Sequence, residues 1–225
     1  MSKPTLKLDW CSHAAAKFAV ENWHYSQTMP KSKLAKIGVW ENSKFIGAVV
    51  FGVGATSDLV KRYGLLPTQG CELVHVALTR HLTPVSRIIA IALNMLKQAF
   101  SKLRLVVSFA DPEQGHMGGI YQAGGWIFNG VSLASDEYLY KGKRWQGRSF
   151  RNKYKGMERH PDVTIIKGSS KYRYLMPLDA DIRKRIEPLA KPYPKRAASI
   201  DNDASTFQVE KGGAIPTAAL QHIDG

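Results

Sequence analysis

The stretch whose residue types could do chemistry runs from Ser108 to Trp126 and reads SFADPEQGHMGGIYQAGGW. Asp111 and Tyr121 supply a carboxylate and a phenol, two groups that remove and deliver protons in general acid–base catalysis. Five glycines are scattered through this stretch, and glycine permits tight backbone turns that other residues resist. We therefore expect Asp111 and Tyr121 to face one cleft, with Ser108 within hydrogen-bonding reach of a bound molecule. Structural alternatives are a turn residue for Asp111, a core aromatic for Tyr121 and a backbone-bonded hydroxyl for Ser108.

The segments around these residues alternate between helix and strand. A helix is predicted over residues 12–23, with Ser12 as its N-cap. Two apolar runs separated by Asn42 and Ser43 predict a hairpin, KIGVWE and KFIGAVVFG. The strand CELVHVAL follows, and then a helix whose buried face recurs at helical spacing, SRIIAIALNMLKQAF. For that helix, Thr83 is the expected cap and Pro84 the first helical residue.

The next elements place Asp111 at an edge where ligands commonly bind. LRLVVSFAD is a near-continuous apolar strand, and the order strand, helix, strand predicts that it pairs in parallel with CELVHVAL. Asp111 then lies just beyond the carboxyl end of its strand, where α/β sheets bind ligands. A short helix with Tyr121, the strand WIFNGVSL, the strand KYRYLMPLD and the helix DADIRKRIEPL follow. The predicted fold class is α/β, a mixed sheet with a central parallel strand pair flanked by helices, plus a basic C-terminal extension.

Positive charge is concentrated in one part of the chain. The net charge is +14, and residues 141–160 hold eight Lys or Arg against one Glu, interleaved with Trp145, Phe150 and Tyr154. Cations neutralise phosphates and aromatic rings stack on bases, so this segment has the composition of a nucleic-acid surface. A solvated basic loop is the structural alternative. The candidate DNA-binding residues are Lys143, Arg144, Arg148, Arg151 and Lys153.

Composition narrows the class of protein and its compartment. The two cysteines form no CxxC pair, which argues against a disulfide scaffold or a zinc ribbon and suits a reducing cytoplasm. No apolar run approaches the roughly 18 residues of a membrane span, and MSKPTLKLDW lacks a signal-peptide core, so no membrane partner is expected. The expected division is a catalytic core over 1–140, a basic extension over 141–196 that packs on the core and contacts DNA, and a flexible tail over 197–225.

The order of elements resembles the GNAT acyltransferase fold, and four segments resemble the phage Mom family more closely. These segments are HYSQTMPKSKLAKIGVWENSKFIGAVVFG, CELVHVALTRHLTPVSRI, SFADPEQGHMGGIYQAGGW and KYRYLMPLD, within a similarity reaching from about His24 to Arg196. The resemblance implies a GNAT-derived enzyme that converts adenine in phage DNA to N6-carbamoylmethyladenine. That modification would protect the DNA from host restriction endonucleases in the cytoplasm of the infected bacterium.

The resemblance also implies roles for individual residues. Asp111 would be the base, or position the base, at the N6 amine, and Tyr121 the acid or the residue that orients the adenine. His24 and Tyr25, in the loop after the first helix, would border the acceptor site. An adenine inside a duplex does not reach such a cleft, so base flipping or a single-stranded substrate is expected. Glu72 and His75 are weaker candidates, and their odd spacing predicts that they face opposite sides of the sheet.

The group donor is less well defined than the acceptor. In GNAT enzymes the turn after this strand holds the pyrophosphate of acetyl coenzyme A with backbone N–H groups. Here Thr83 and Val85 replace the small residues of the usual Gln/Arg-x-x-Gly-x-Gly/Ala pattern. The donor is therefore an acyl or acetyl coenzyme A bound differently, or another activated donor. The candidate contacts are Val76, Ala77, Arg80, Thr83, Ser86 and Arg87.

Carbamoylmethyl transfer is formally an alkylation, so it requires an unusual donor, a further enzyme or redox chemistry at iron. Asp111, His116 and His24 are the candidate iron ligands, although no spacing typical of a 2-His-1-carboxylate site supports them. Two other functions stay open. One is a GNAT N-acetyltransferase acting on a protein or a small amine, which predicts a standard phosphate turn. The other is a DNA-binding protein that has kept the fold without catalysis.

Overall fold

The computed structural model describes residues 3–54 and 58–195 of the chain. The strands are β1 (Leu6–Trp10), β2 (Leu34–Glu41), β3 (Lys44–Gly52), β4 (Gly70–Leu78), β5 (Leu105–Ala110), β6 (Ile127–Val131), β7 (Asp136–Tyr140), β8 (Lys143–Gln146), β9 (Thr164–Lys167) and β10 (Tyr172–Pro177). The helices are α1 (His13–Trp23), α2 (Val85–Ala99), α3 (Gly119–Ala123), α4 (Gly147–Lys153) and α5 (Ala180–Ile186). Single 3₁₀ turns occur at Lys61–Tyr63, Pro67–Gln69, Pro112–Gln114 and Glu187–Leu189.

Seven strands form the main sheet, in the order β1-β2-β3-β4-β5-β10-β6. β4 and β5 pair in parallel, from Gly70 opposite Leu105 to Leu73 opposite Ser108, and the other pairs in this sheet are antiparallel. The predicted class is confirmed, a mixed α/β sheet with a central parallel pair. The edge strand β1 was not predicted, because LKLDW is too short to show a clear alternation.

Helices cover both faces of this sheet. α2 packs against the face that includes Phe51, Leu73 and Val106, because its apolar residues recur every three or four positions and form one stripe. α1 lies on the opposite face and presents small residues such as Ala16 and Ala19 to β3, and α5 lies on that face farther along the sheet. No helix among the described residues is long and apolar enough to cross a membrane.

A second, three-stranded sheet, β8-β7-β9, forms a small lobe with α4 between β6 and β10. Residues 136–167 are named the small lobe from here on. The range 141–196 is therefore divided: its first part belongs to the small lobe, whereas β10 returns to the main sheet between β5 and β6. β10 returns because its alternating Tyr174 and Leu175 are both fully buried, one on each face of the main sheet. The predicted tail, 197–225, lies outside the described residues.

Aromatic residues of the basic segment form the core of the small lobe. Phe150 is 0 % exposed and stacks on Tyr138, with 4.4 Å between ring centroids. Trp145 and Tyr154 are half-buried and pack around them. The expectation that these rings stack on bases is therefore wrong for Phe150, since no face of its ring is accessible. The aromatic spacing reflects a local hydrophobic core, and the cations lie outside it.

Candidate active site

The parallel pairing of β4 with β5 ends at Leu73 and Ser108, and the candidate site begins there. The Ser108 Oγ lies 2.9 Å from the Leu73 carbonyl oxygen and 2.8 Å from the Tyr121 Oη. Because a carbonyl oxygen only accepts, the Ser108 hydroxyl donates to Leu73, and the Tyr121 hydroxyl then donates to Ser108. Both hydroxyl groups are thereby held in fixed orientations at the point where the two strands part.

Asp111 follows β5 directly, and three groups hold its carboxylate. Its Oδ1 accepts from the Glu113 backbone N–H at 3.1 Å and from the Ser169 hydroxyl at 3.2 Å, and its Oδ2 lies 3.6 Å from the Lys171 Nζ. The residue is only 8 % exposed. Asp111 therefore stabilises the turn that begins at Pro112. It also presents an ion-paired carboxylate at the carboxyl end of β5. Ser169 and Lys171 were not predicted, since they lie far along the chain.

Tyr121 lies in the core of the main sheet. Its ring centroid is 5.0 Å from those of both Trp126 and Tyr174, and burial raises the pKa of its hydroxyl to about 12. Gly118 allows α3 to begin in direct contact with β10. Its φ is +76°, and a Cβ at this position would lie 2.3 Å from the Tyr174 ring, so a larger residue would push the start of α3 away from β10. A tyrosine so placed positions Ser108 and is poorly suited to protonate a leaving group.

Four aromatic side chains, from two loops and from β4, form a cluster near Asp111. His24 contacts Tyr25 and His75, at centroid distances of 4.3 and 4.4 Å, and Tyr25 lies 5.5 Å from His116. The His116 backbone N–H donates to the Asp111 carbonyl oxygen at 3.1 Å, so the rings adjoin the turn that carries Asp111. Burial, followed by the charge of Asp111, raises the pKa of the Tyr25 hydroxyl. Tyr25 is 50 % exposed. The predicted acceptor-side residues are thus brought together with Asp111, and Tyr25 is an accessible ring among them.

His24 is a neutral hydrogen-bond donor at physiological pH. Burial, followed by the neighbouring His75 and His116, lowers its pKa to about 3. The Ser26 backbone N–H lies 3.2 Å from the His24 Nδ1, and the Ser26 hydroxyl lies 2.8 Å from the same atom. A backbone N–H only donates, so Nδ1 is an acceptor and the proton of the neutral ring is on Nε2. His24 is therefore a neutral ring with a hydrogen-bond donor at Nε2.

His75 belongs to the site because of a bulge in β4. Val50 pairs with His75 and Phe51 with Leu73, so β4 contains one extra residue at Val74. The bulge reverses the alternation, and Glu72 and His75 fall on the same side of the sheet, contrary to the expectation from their spacing. His75 is 7 % exposed; burial lowers the pKa of its ring, and an interaction with the Thr28 backbone partly opposes that shift. This buried ring adjoins His24.

The candidate iron ligands do not form a ligand set. Within residues 3–54 and 58–195, no group of three or more His, Cys, Asp or Glu side chains is arranged to hold a metal ion. Asp111 is paired with Lys171, and the Nδ1 of His24 is hydrogen-bonded to Ser26. These residues do not fit an iron site, and no chemical step is assigned to iron.

The candidate donor contacts lie around the turn between β4 and α2. Ala77 is fully buried beneath α1, and Thr83 is 3 % exposed, with its hydroxyl donating to Glu41. Thr83 does not cap α2, since the N-cap residue is Pro84. The remaining candidates have at least partly accessible side chains: Val76, Arg80, Ser86 and Arg87.

Exposed cations lie on the small lobe. Arg144 pairs with Glu137, and this carboxylate, followed by the weaker effects of Glu113 and Asp111, raises the pKa of Arg144. Lys143 and Lys153 each place an Nζ 4.7 Å from the Trp145 ring centroid. The exposed cations of the small lobe include Lys143, Arg144, Arg151 and Lys153. The side chain of Arg148 lies outside the described part of the structure.

Two depressions lie on the surface, and the second includes Gln27 and Thr28 of the loop that also carries His24 and Tyr25. One, of about 350 Å³, is lined by residues that include Lys97, Arg104 and Asp179, and the other, of about 500 Å³, includes Lys17 and Glu21. Neither contains a predicted site residue.

Comparison with known proteins identifies relatives over most of the chain. A family model described as the Mom protein family matches residues 5–195. A protein named methylcarbamoylase mom, from Escherichia phage Mu, is 25 % identical over 206 residues, and the match covers 84 % of each chain.

Among the solved structures similar to this chain are two acetyltransferases and an N-acyl amino acid synthase. An acetyltransferase of Bacillus subtilis in complex with CoA has a TM-score of 0.46 and 12 % identity, covering 79 % of this chain and 100 % of that one. An N-acyl amino acid synthase from uncultured soil microbes has a TM-score of 0.47 and 10 % identity, covering 81 % and 95 %. An aminoglycoside acetyltransferase solved with coenzyme A and kanamycin has a TM-score of 0.47 and 9 % identity, covering 82 % and 98 %.

Proposed function

The chain belongs to the Mom protein family, and we propose that it transfers a carbamoylmethyl group to the N6 amine of adenine in DNA. The product is N6-carbamoylmethyladenine, which protects phage DNA from host restriction enzymes in the cytoplasm of the infected bacterium. The observation that carries this proposal is the position of Asp111. Its carboxylate is fixed at the carboxyl end of β5 by Glu113, Ser169 and Lys171. The turn that carries it also carries His116, which contacts the exposed ring of Tyr25.

Asp111 is proposed as the base. The N6 lone pair of adenine is delocalised into the purine ring, so a proton must leave as the new bond forms. In the proposed step the N6–CH₂ bond forms while the bond from CH₂ to the leaving group breaks with its electron pair. One N6 proton passes to Asp111, and the leaving group departs as an anion. The neutral His24 donates its Nε2–H to an acceptor atom of the bound reactants.

Tyr25 and the nearby cations suit an extruded base. An accessible phenol ring offers a stacking surface for a purine, and such stacking stabilises a base outside its helix. Lys171 lies 3.6 Å from the Asp111 carboxylate, and Arg144 is an exposed cation of the small lobe. In this proposal both neutralise phosphates that flank the base. We propose that Tyr25 swings outward as the adenine enters and then stacks on it.

The donor is proposed to be an activated carbamoylmethyl or acyl carrier, with coenzyme A as one candidate. Arg80, Ser86 and Arg87 have accessible side chains near the start of α2. In this proposal they contact the donor, while Ala77 and Thr83 are enclosed and only shape the wall.

Nucleoside mass spectrometry tests the proposed reaction. DNA from bacteria that express the protein is digested to nucleosides, beside DNA from cells with the empty vector. We expect a modified deoxyadenosine whose mass increase equals replacement of one N6 hydrogen by CH₂CONH₂, together with resistance of the DNA to restriction digestion. Unmodified deoxyadenosine in both samples would reject the proposal. Acetylated protein or polyamine without any DNA change would instead favour an ordinary N-acetyltransferase.

A further inference from the structure

A buried carboxylate occupies the turn between β4 and α2. Glu41, the last residue of β2, is 7 % exposed. Its Oε2 accepts from the Leu82 backbone N–H at 2.9 Å, and its Oε1 accepts from the Thr83 N–H at 2.8 Å and from the Thr83 hydroxyl at 2.6 Å. These amides precede a fifteen-residue helix, where N–H groups point at whatever anion is present.

Glu41 is an anion under physiological conditions. Burial disfavours its charge, but hydrogen bonds from the Thr83 hydroxyl and from the Leu82 and Thr83 amides, together with the nearby His81, hold its pKa below the usual value. His81 donates its Nδ1–H to the Thr79 carbonyl oxygen at 2.7 Å, which keeps this ring against the turn. The negative charge is thus built into the fold.

The residues of this turn are suited to bind the carboxylate of Glu41 rather than a phosphate of an incoming ligand. A glycine in place of Thr83 would leave its amide open for a phosphate to approach, whereas the threonine adds a hydroxyl that donates to Glu41. Pro84 has no N–H to offer. Leu82 and Thr83 are already paired, so an approaching pyrophosphate meets a fixed negative charge instead of free donors.

We infer that Glu41 is the resident anion of this turn and determines donor specificity. The turn amides hold no phosphate, so the protein selects a donor that is recognised without a pyrophosphate bound there. This inference rests on the proposed function only in supposing that a group donor exists. It also explains why this turn lacks the small residues of a phosphate-binding loop.

Amide NMR of the ¹⁵N-labelled full-length protein tests the inference, with inorganic pyrophosphate and coenzyme A as separate probes. In the unaltered protein we expect no saturable shift of the Leu82 and Thr83 amide resonances up to about 1 mM of either probe. In the double variant Glu41→Gln with Thr83→Gly, pyrophosphate should cause saturable shifts of the amide resonances at positions 82 and 83 within the same range, up to about 1 mM. Glu21→Gln, which removes an exposed carboxylate of α1, is the matched control for net charge and should behave like the unaltered protein.

The outcomes separate the possibilities. Saturable shifts of the Leu82 and Thr83 amides on adding coenzyme A to the unaltered protein overturn the inference, because the phosphates would then have displaced Glu41. Coenzyme A binding that shifts only amides elsewhere supports it. If the double variant does not fold, the titration of the unaltered protein alone decides. Nucleoside mass spectrometry measures the reaction independently, so failure of the proposed function and failure of this inference are distinguishable.

Discussion

Replacing Asp111 by Asn removes the proposed base with little change in shape. The Asn carbonyl oxygen can still accept from the Glu113 N–H and the Ser169 hydroxyl, which now hold the Asp111 Oδ1. The ion pair with Lys171 is lost, but its atoms are 3.6 Å apart and the Lys171 side chain is 36 % exposed. The Asp111 side chain is only 10 % exposed, but the lysine left behind can reach water, so we expect a loss of about 1 kcal/mol, the upper end of the range for exposed pairs. For a chain of this size, that lowers the melting temperature by about 2–4 °C.

The expected loss of activity is much larger than the loss of stability. A positioned general base typically accelerates a reaction by about 10²–10⁴-fold, which corresponds to about 3–5 kcal/mol of activation free energy. The assay is the initial rate of modified-deoxyadenosine formation, measured by mass spectrometry of DNA from cells with matched protein levels. Melting temperature is measured on the same purified variants.

The matched control is Glu113→Gln, which neutralises an exposed carboxylate two residues farther along the chain. We expect this variant to keep a rate within about threefold of the unaltered protein, a change of less than 1 kcal/mol. A rate for Asp111→Asn that is equally well preserved, at normal melting temperature, would refute the assignment of Asp111 as the base. An equal loss in both variants would indicate that local negative charge is required, with no particular role for Asp111.

Three other tests address the remaining residues. Tyr121→Phe should lower the free energy of unfolding by about 1 kcal/mol, because the hydrogen bond to Ser108 is lost. The same variant should reduce the reaction rate less than tenfold, whereas a hundredfold loss would indicate that Tyr121 is the acid. ¹⁵N NMR of His24 should show the Nε2–H tautomer without titration between pH 5 and 8, and an imidazolium signal at pH 6 would contradict this. Because the pKa of His24 is lowered to about 3, its contribution to stability is present above pH 6.5 and is lost as the pH falls towards 3. Charge reversal of Arg144 and Arg151 together should weaken DNA binding and reduce the salt slope by about 0.9 per lost phosphate contact, and an unchanged slope would remove the small lobe from the DNA surface.

Much of the fold was predictable because its signals are local. The apolar stripe of α2 and the continuous hydrophobicity of β5 each depend on residues within one segment, and both elements appear where they were predicted. The neighbourhood of Asp111 was predictable for the same reason, since the end of a parallel strand is a defined place in an α/β sheet.

Features that depend on distant contacts were not predictable. The position of Tyr121 in α3 depends on the packing of Gly118 against Tyr174. Tyr174 belongs to β10, which lies far along the chain from α3. Glu41 reaches Leu82 across 41 residues of sequence, and nothing in the hairpin signalled that a carboxylate would fill the next turn. Local patterns record the periodicity of an element but not the identity of its neighbours.

By itself, the sequence determined the α/β order, the place of Asp111 at a strand end, the concentration of positive charge and the family. Tertiary structure alone decided that Phe150 is core rather than stacking surface, that His24 is a neutral donor and that Glu41 occupies the β4–α2 turn. The physical reason is that burial and hydrogen-bond partners set the charge and accessibility of a side chain. Both are properties of the space around the residue, and that space is built by segments far apart in the chain.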